Sequence, residues 1–256
     1  MLAIVRRQKI VDIIREKKKV LVQELATNFS VTEETIRRDL EKLEEQGILK
    51  RTYGGAIINE GTNADMHVDM REISNKEGKM RIAEVVSGNI QEGDTLMLDS
   101  STTAFYVAKC IKKSRKRVTI ITNSLKVLAE LQDNRDINII LAGGSFRETA
   151  KSFVGKWAES VIQNYYVNKA IICCKGLDMK RGVMDSNEQE AEVKKLMAAS
   201  ADKVFLVVDS MKFDKSSFVN IMDFEDIHSI YTDEPLSKQW EKVLRDNDVK
   251  INICKE

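Results

Sequence analysis

The chain has 256 residues, 43% of them hydrophobic and 32% charged, with a formal net charge of +1. That describes an ordinary soluble globular protein, long enough for one large core or for a small domain plus a medium one. The N-terminal MLAIVRRQKIVDIIREKKK is broken by charge too early for a signal peptide, and no later apolar run approaches the roughly 20 residues that span a bilayer, so the expectation is a cytoplasmic protein with no membrane partner.

In chain order, apolar residues from Ile4 to Ile14 recur at helical spacing and predict an amphipathic helix over about 3–17, ended by EKKK. A short helix follows over about 22–28, with Leu21, Leu25, Ala26 and Phe29 inward. Next comes SVTEETIRRDLEKLEEQG, which is well punctuated. Thr32 suits the N-cap, Val31 and Ile36 a hydrophobic staple, Glu33 and Glu34 the positive helix start, and Gly47 the C-terminal stop. Two helices joined by a three-residue turn make a helix-turn-helix. On a helical wheel Ile36, Leu40 and Leu43 share one side; Glu34, Thr35, Arg38 and Lys42 face the other, with Arg37 on the flank. An outward N-terminal half bearing Thr and Arg is what a major-groove reader needs. ILKRTYGGAII then reads as two short strands hinged at Gly54 and Gly55, a wing whose Lys50, Arg51 and Thr52 can reach the DNA backbone. Residues 1–58 hold 12 Lys+Arg against 9 Asp+Glu, leaving 29 against 31 in the remainder, so the positive charge sits where DNA would be. The competing reading, a helical dimerisation module suggested by Glu41, Glu44 and Glu45, gives no use for the basic glycine hairpin.

The run Arg6, Ile10, Ile14, Thr32, Thr35, IRRDL and GILKRTYGGA resembles the winged helix-turn-helix of the DeoR/GlpR transcriptional regulators, across some fifty positions.

Residues 59–74 (NEGTNADMHVDMREIS) are polar and aperiodic and read as a linker, with partial order as the alternative. From Asn75 the chain alternates helices, near 76–89, 103–113, 124–133, 155–164, 188–200 and 237–246, with the apolar runs TLMLD, VTIIT, INIILA, KAIICC, KVFLVV, HSIYT and VKINIC. Strands apolar on both faces and separated by helices predict an α/β domain over 75–256 with a mainly parallel sheet. Ligands bind such sheets at the carboxyl ends of the strands. Those ends carry Asp99, Ser100, Ser101, Thr102 and Thr103; Asn123; Gly143 and Gly144; Lys175 and Asp178; and Asp209 and Lys212. Any one of these could be helix capping alone, but five polar ends in one sheet describe a small-molecule site. Backbone N–H groups and hydroxyls at helix starts would hold an anion there, with Lys212 completing the neutralisation. The four cysteines show no CxxC pair and no zinc spacing, and read as reduced core thiols; no metal or cofactor is expected.

The resemblance to the DeoR family continues through DSSTT, TNS, GGSFRE, Gly155, GLD, NEQEAEVKKLM and VVDSMKF. It implies a sensor domain whose fold is similar to that of ribose-5-phosphate isomerase and which binds a phosphorylated sugar. By position it implies that Ser100–Thr103 form the phosphate loop and that Asn123 and Lys212 are further contacts, with Asp99, Asp178 and Asp209 facing the sugar hydroxyls. Glu188 and Glu190 are weaker candidates. Isomerases of the similar fold carry a Glu-Lys pair on the helix before the VVDSMK-like strand; Lys194 and Lys195 stand there in this chain, so no catalytic residue is assigned. The expectation is a DNA-binding regulator, a repressor of a sugar-use operon released by a sugar phosphate and acting as a homodimer or homotetramer on double-stranded operator DNA. Two alternatives share many of these residues: a phosphosugar isomerase-like enzyme with an accessory DNA-binding domain, and a regulator that activates.

Overall fold

The computed structural model describes residues 2–59 and 65–255. Residues 60–64 of the sequence-read linker lie outside it, as do the side chains of Ile4, Arg15 and Glu16, which the sequence reading counted. The chain divides into two compact units, Met1–Ser74 and Asn75–Glu256.

In the first unit, α1 (Ala3–Lys17), α2 (Val22–Phe29) and α3 (Glu33–Glu45) surround a core in which Ile10, Ile14, Leu25, Ile36, Leu40 and Leu43 are essentially inaccessible. Between α1 and α2 lies β1 (Lys19–Leu21), which the sequence reading missed. It pairs with β3 (Gly55–Ile58), which in turn pairs with β2 (Leu49–Thr52), so the wing is a three-stranded antiparallel sheet. Because Leu21 belongs to this strand it is half exposed, and Val22 takes the inward position instead. Gly55 is required at the pairing, since a Cβ there would lie 2.1 Å from the Val20 carbonyl oxygen. At the start of α3 the Thr32 hydroxyl accepts from the Thr35 N–H at 3.3 Å. At its end Gly47 takes φ +70°, and the Ile48 N–H returns to the Leu43 carbonyl at 3.0 Å.

Residues 65–74 are not a plain linker. Within them α4 (Val68–Ile73) buries Met70 in the first unit's core, with Met66 and Ile73 packed beside it. Positions 70 and 73 fall on one face of this helix, and Met66 precedes it. Polar neighbours hide that spacing in the sequence.

The second unit opens with α5 (Lys76–Gly88) and alternates β4 (Thr95–Leu98), α6 (Thr102–Ser114), β5 (Val118–Thr122), α7 (Leu125–Leu131) and β6 (Ile137–Leu141). After the hairpin β7 (Ser145–Arg147)/β8 (Ser152–Val154) come α8 (Lys156–Gln163) and β9 (Val167–Ile172). A second hairpin, β10 (Gly176–Asp178)/β11 (Gly182–Asp185), precedes α9 (Glu188–Ala199) and β12 (Ala201–Val207). The chain closes with β13 (Val219–Met222), β14 (Ser229–Thr232), α10 (Lys238–Asp246) and β15 (Lys250–Ile253).

Seven strands form one parallel sheet in the order β15-β14-β12-β9-β4-β5-β6, while β13 joins the β10/β11 hairpin. Leu96, Met97 and Leu98 are all fully buried in succession, the mark of a strand covered on both faces. The topology also contains one reversal of strand order. From β4 the chain advances to β5 and β6, then returns to place β9 on the other side of β4, so the order reverses between β4 and β9. In an open α/β sheet the crevice beyond that switch point is the binding position.

Candidate functional site

On its exposed face, α3 presents Glu34 and Arg38, whose side chains are 66% and 75% exposed and pair across one turn at 3.3 Å. Arg37 pairs likewise with Glu33 at 3.2 Å. Such exposed pairs are worth a few tenths of a kcal/mol and yield readily to a phosphate or base edge. The Thr35 hydroxyl lies 2.9 Å from that of Thr32, and Lys42, Lys50 and Thr52 are exposed. Arg51 is placed differently from the expectation. Its Nε donates to Glu44 at 2.7 Å and its backbone N–H to the other Glu44 oxygen at 2.8 Å, so it clamps the wing onto α3. The backbone and then the side-chain hydrogen bond from Arg51 hold the Glu44 carboxyl below its usual value. Two features were not read from the sequence. Tyr53, at the wing tip, is fully exposed. Arg6 is buried and donates to Asp39 of α3 at 2.5 Å, so this basic residue braces the fold.

In the second unit the switch point is built from three strand ends. The loop after β4 turns on Asp99, and Ser101 caps α6, its hydroxyl accepting from the Ala104 N–H at 3.1 Å. The N–H groups of Thr102 and Thr103, in the first helical turn, find no acceptor within the helix. Asn123, at the end of β5, is 1% exposed; its amide donates to the Phe153 carbonyl at 3.0 Å, and its Oδ1 has no partner among the described residues. Beyond β12 a short 3-10 turn, Ser210–Lys212, is capped by Asp209, which accepts from the Met211 N–H at 3.1 Å. Lys212 forms no ion pair among the described residues. Burial pushes the Cys173 thiol at the end of β9 up, and the nearby Lys212 ammonium opposes that. The α6 start, the buried Asn123 amide oxygen and Lys212 thus all follow the carboxyl ends of strands of one parallel sheet.

Other expected contacts turn out to be structural. Asp99 is wholly buried with both oxygens engaged: Oδ1 accepts from the Ser101 N–H and Oδ2 from the Cys173 N–H, each at 2.9 Å. It stitches β4 to β9 across the switch point and has no face for a sugar. Thr103 is also fully buried, its hydroxyl 3.8 Å from Cys173 Sγ, which leaves only its N–H at the helix start. Asp178 sits in the β10/β11 turn, accepting from the Ser216 hydroxyl and from the N–H groups of Lys180 and Arg181, and these bonds lower its carboxyl. Gly144, at φ +141°, lets β8 approach; a Cβ there would meet the Val154 carbonyl at 2.6 Å, whereas one on Gly143 would meet nothing.

Beneath the cradle lies a buried charge cluster that sequence reasoning saw only in part. Lys194 of α9 is 2.6 Å from Asp185 at the end of β11 and 3.6 Å from Asp99. Burial alone would raise the Asp185 carboxyl, but Lys194 and then Lys175 override it and hold it at about 2. Burial would lower Lys194, and Asp185, Asp99 and Glu190 together hold it well above the ordinary lysine value. Glu190 accepts from the Ser100 hydroxyl at 2.9 Å and from the Ser152 hydroxyl, and pairs with Arg147 at 3.5 Å; Glu188 is exposed.

A model of the DeoR-like helix-turn-helix domain matches residues 6–62, and one of the DeoR C terminal sensor domain matches residues 74–234. The chain belongs to the DeoR family. Over 251 residues it is 41% identical to YulB of Bacillus subtilis (strain 168), an uncharacterised HTH-type transcriptional regulator, covering 98% of this chain and 96% of that one. It is 31% identical over 250 residues to the glycerol-3-phosphate regulon repressor of Escherichia coli (strain K12), covering 97% and 98%. It is 30% identical over 244 residues to the L-fucose operon activator of Haemophilus influenzae, covering 95% and 97%. Among solved structures, ribose 5-phosphate isomerase A of Neisseria gonorrhoeae aligns with a TM-score of 0.40 at 15% identity over 54% of this chain and 53% of that one.

This DeoR-family chain is therefore a DNA-binding transcriptional regulator and not an enzyme. In α9, Lys194 is an ammonium held between two carboxylates, Asp185 at 2.6 Å and Asp99 at 3.6 Å. Neither histidine lies at the strand ends: His67 caps α4, and His228 precedes β14 and stacks on Phe205 at 6.2 Å. No helix among the described residues is long and apolar enough to cross a membrane.

Proposed function

We propose that the chain represses a carbohydrate-catabolism operon in the cytoplasm and leaves its operator when a phosphorylated sugar occupies the β4/β9 switch point. The observation that carries this is the convergence there of the α6 N-terminus, the Asn123 carbonyl oxygen and the uncompensated Lys212. Thr102 and Thr103 N–H groups, the Ser100 and Ser101 region and Lys212 hold the phosphate, while Asn123 and Asp209 address hydroxyls. Lys175, Gly143 and Gly144 shape the rim. Relatives named for the glycerol-3-phosphate regulon and a putative aga operon support a carbohydrate-linked effector.

On the DNA side Thr35 and Arg38 read base edges, with Glu34 adjusting Arg38; Arg37, Lys42, Lys50 and Thr52 serve phosphates, and Arg51 holds the wing. One short recognition helix reads few bases, so the working form is at least a homodimer. Effector binding shifts the operator-bound equilibrium by its differential affinity for the two states. An electrophoretic shift with the gene's own upstream DNA tests this: sugar phosphates should release a specific complex at moderate salt, and no specific complex would overturn the proposal. The similarity to an operon activator keeps one second reading, activation, which transcript levels of the target operon in a deletion strain separate from repression.

A further inference from the structure

Glu190 of α9 is met by two hydroxyls and a nearby guanidinium from outside its own helix. Ser100 gives its hydroxyl from the loop after β4 at 2.9 Å, Ser152 gives its hydroxyl from β8, and Arg147 approaches from β7 at 3.5 Å. Ser100 and Ser152 are 6% and 0% exposed, and Glu190 itself is 5% exposed. Two hydroxyls and a guanidinium beside a helix N-terminus are the donors with which proteins bind external oxyanions. Here they close on a side chain of the chain itself. Lys194, one turn further along α9, already has Asp185 and Asp99, so Glu190 is not needed to neutralise it.

We infer that Ser100, Ser152 and Arg147 form an anion site which Glu190 fills as an internal surrogate, and that the oxyanion of the effector binds there by displacing the Glu190 carboxylate. This rests on the strand-end reading of the sensor site and adds a competitor to it. Effector affinity is then set partly by how firmly Glu190 is held. No covalent step is involved; the exchange is carboxylate out, oxyanion in, with the same three donors reused.

Inorganic phosphate titrated calorimetrically into the full chain tests the inference. Glu190→Gln removes both the competitor and a like charge, and should tighten phosphate binding about tenfold, the scale of one charge removed at close range in a partly screened site. Glu190→Asp, too short to span both serines, should tighten it less, and serves if the glutamine variant fails to fold. Arg147→Gln should weaken binding about tenfold. Glu188→Gln, an exposed neighbour, should change nothing. Unchanged or weaker phosphate binding in Glu190→Gln, with wild type binding normally, overturns the inference and leaves the cradle reading standing. Equal tightening by Glu188→Gln also overturns it, by reducing the effect to general charge. If neither wild type nor any variant binds phosphate, both readings fall together.

Discussion

Lys194→Met is the perturbation that bears most directly on the sensor core. Lys194 and Asp185 have side chains 6% and 1% exposed and lie 2.6 Å apart, so removing the ammonium leaves two buried carboxylates, Asp185 and Asp99, without their shared cation. Breaking a buried pair by deleting one partner typically costs about 3–5 kcal/mol. Part of that is carried by the depressed Asp185 carboxyl. Its carboxyl falls from 3.8 to about 2, which corresponds to roughly 2 kcal/mol at neutral pH. A depressed carboxyl contributes stability above its unfolded-state value and loses it as pH falls through the folded value, so the window runs from near 3.8 down to about 2. In Lys194→Met the desolvation that now acts unopposed raises Asp185, and the variant recovers by protonation at a pH where wild type still gains from the pair. Both tryptophans, Trp157 and the buried Trp240, lie in the second unit, so their fluorescence follows sensor unfolding in urea. At pH 7 the variant should be less stable by about 3–5 kcal/mol. That gap equals a melting shift of roughly 6–20 °C for a unit of this size. At pH 3.5 it should narrow by about 1 kcal/mol or more. A gap under about 1 kcal/mol at pH 7, or one that does not change between the two pH values, would refute the pairing argument.

Asp39→Ala removes the carboxylate that faces the buried Arg6 guanidinium and should destabilise the first unit by about 3 kcal/mol, read as loss of its cooperative melt and of DNA binding together. Gly55→Ala forces a Cβ to within 2.1 Å of the Val20 carbonyl, so the wing cannot close and operator affinity in a shift assay should fall while sensor melting stays unchanged. Arg38→Ala should relax base preference, whereas Lys50→Ala should lower the salt slope of binding by about one without changing preference. Lys212→Met should leave operator binding intact and abolish its release by the effector, because it removes the ammonium from the strand ends; Ser101→Ala adds a capping loss of about 1 kcal/mol, so the lysine variant is the cleaner measurement.

The large features of the fold were legible because they rest on local signals. Thr32, the Val31/Ile36 staple and Gly47 mark α3 by chemistry that acts within a few residues, and the uninterrupted apolar runs mark the parallel strands. What escaped reading depends on partners distant in sequence. The strands β1, β7, β8 and β10 have three residues each, too short to show a period of two, and exist because another segment completes them. Asp99 has the composition of a ligand contact, and only the N–H of Cys173, 74 residues away, reveals that it is a stitch. Arg51 was read by charge alone; its two bonds to Glu44 across seven residues make it a clamp. Asp185 was overlooked because the hairpin that delivers it was not seen.

The arrangement along α9 suggests how one helix serves binding without chemistry. Glu190 and Lys194 are four residues apart and share a face, yet their surroundings differ in kind. Lys194 is held by carboxylates from the end of β4 and the end of β11, both fully committed, so this turn of the helix is pinned to the sheet. Glu190 is held by hydroxyls and a guanidinium, donors that an incoming oxyanion satisfies equally well. Exchange is therefore cheap at the start of α9 and costly one turn later. An effector would act on the first turn and on the β7/β8 hairpin through Arg147 and Ser152, while the sheet and its buried charges stay fixed.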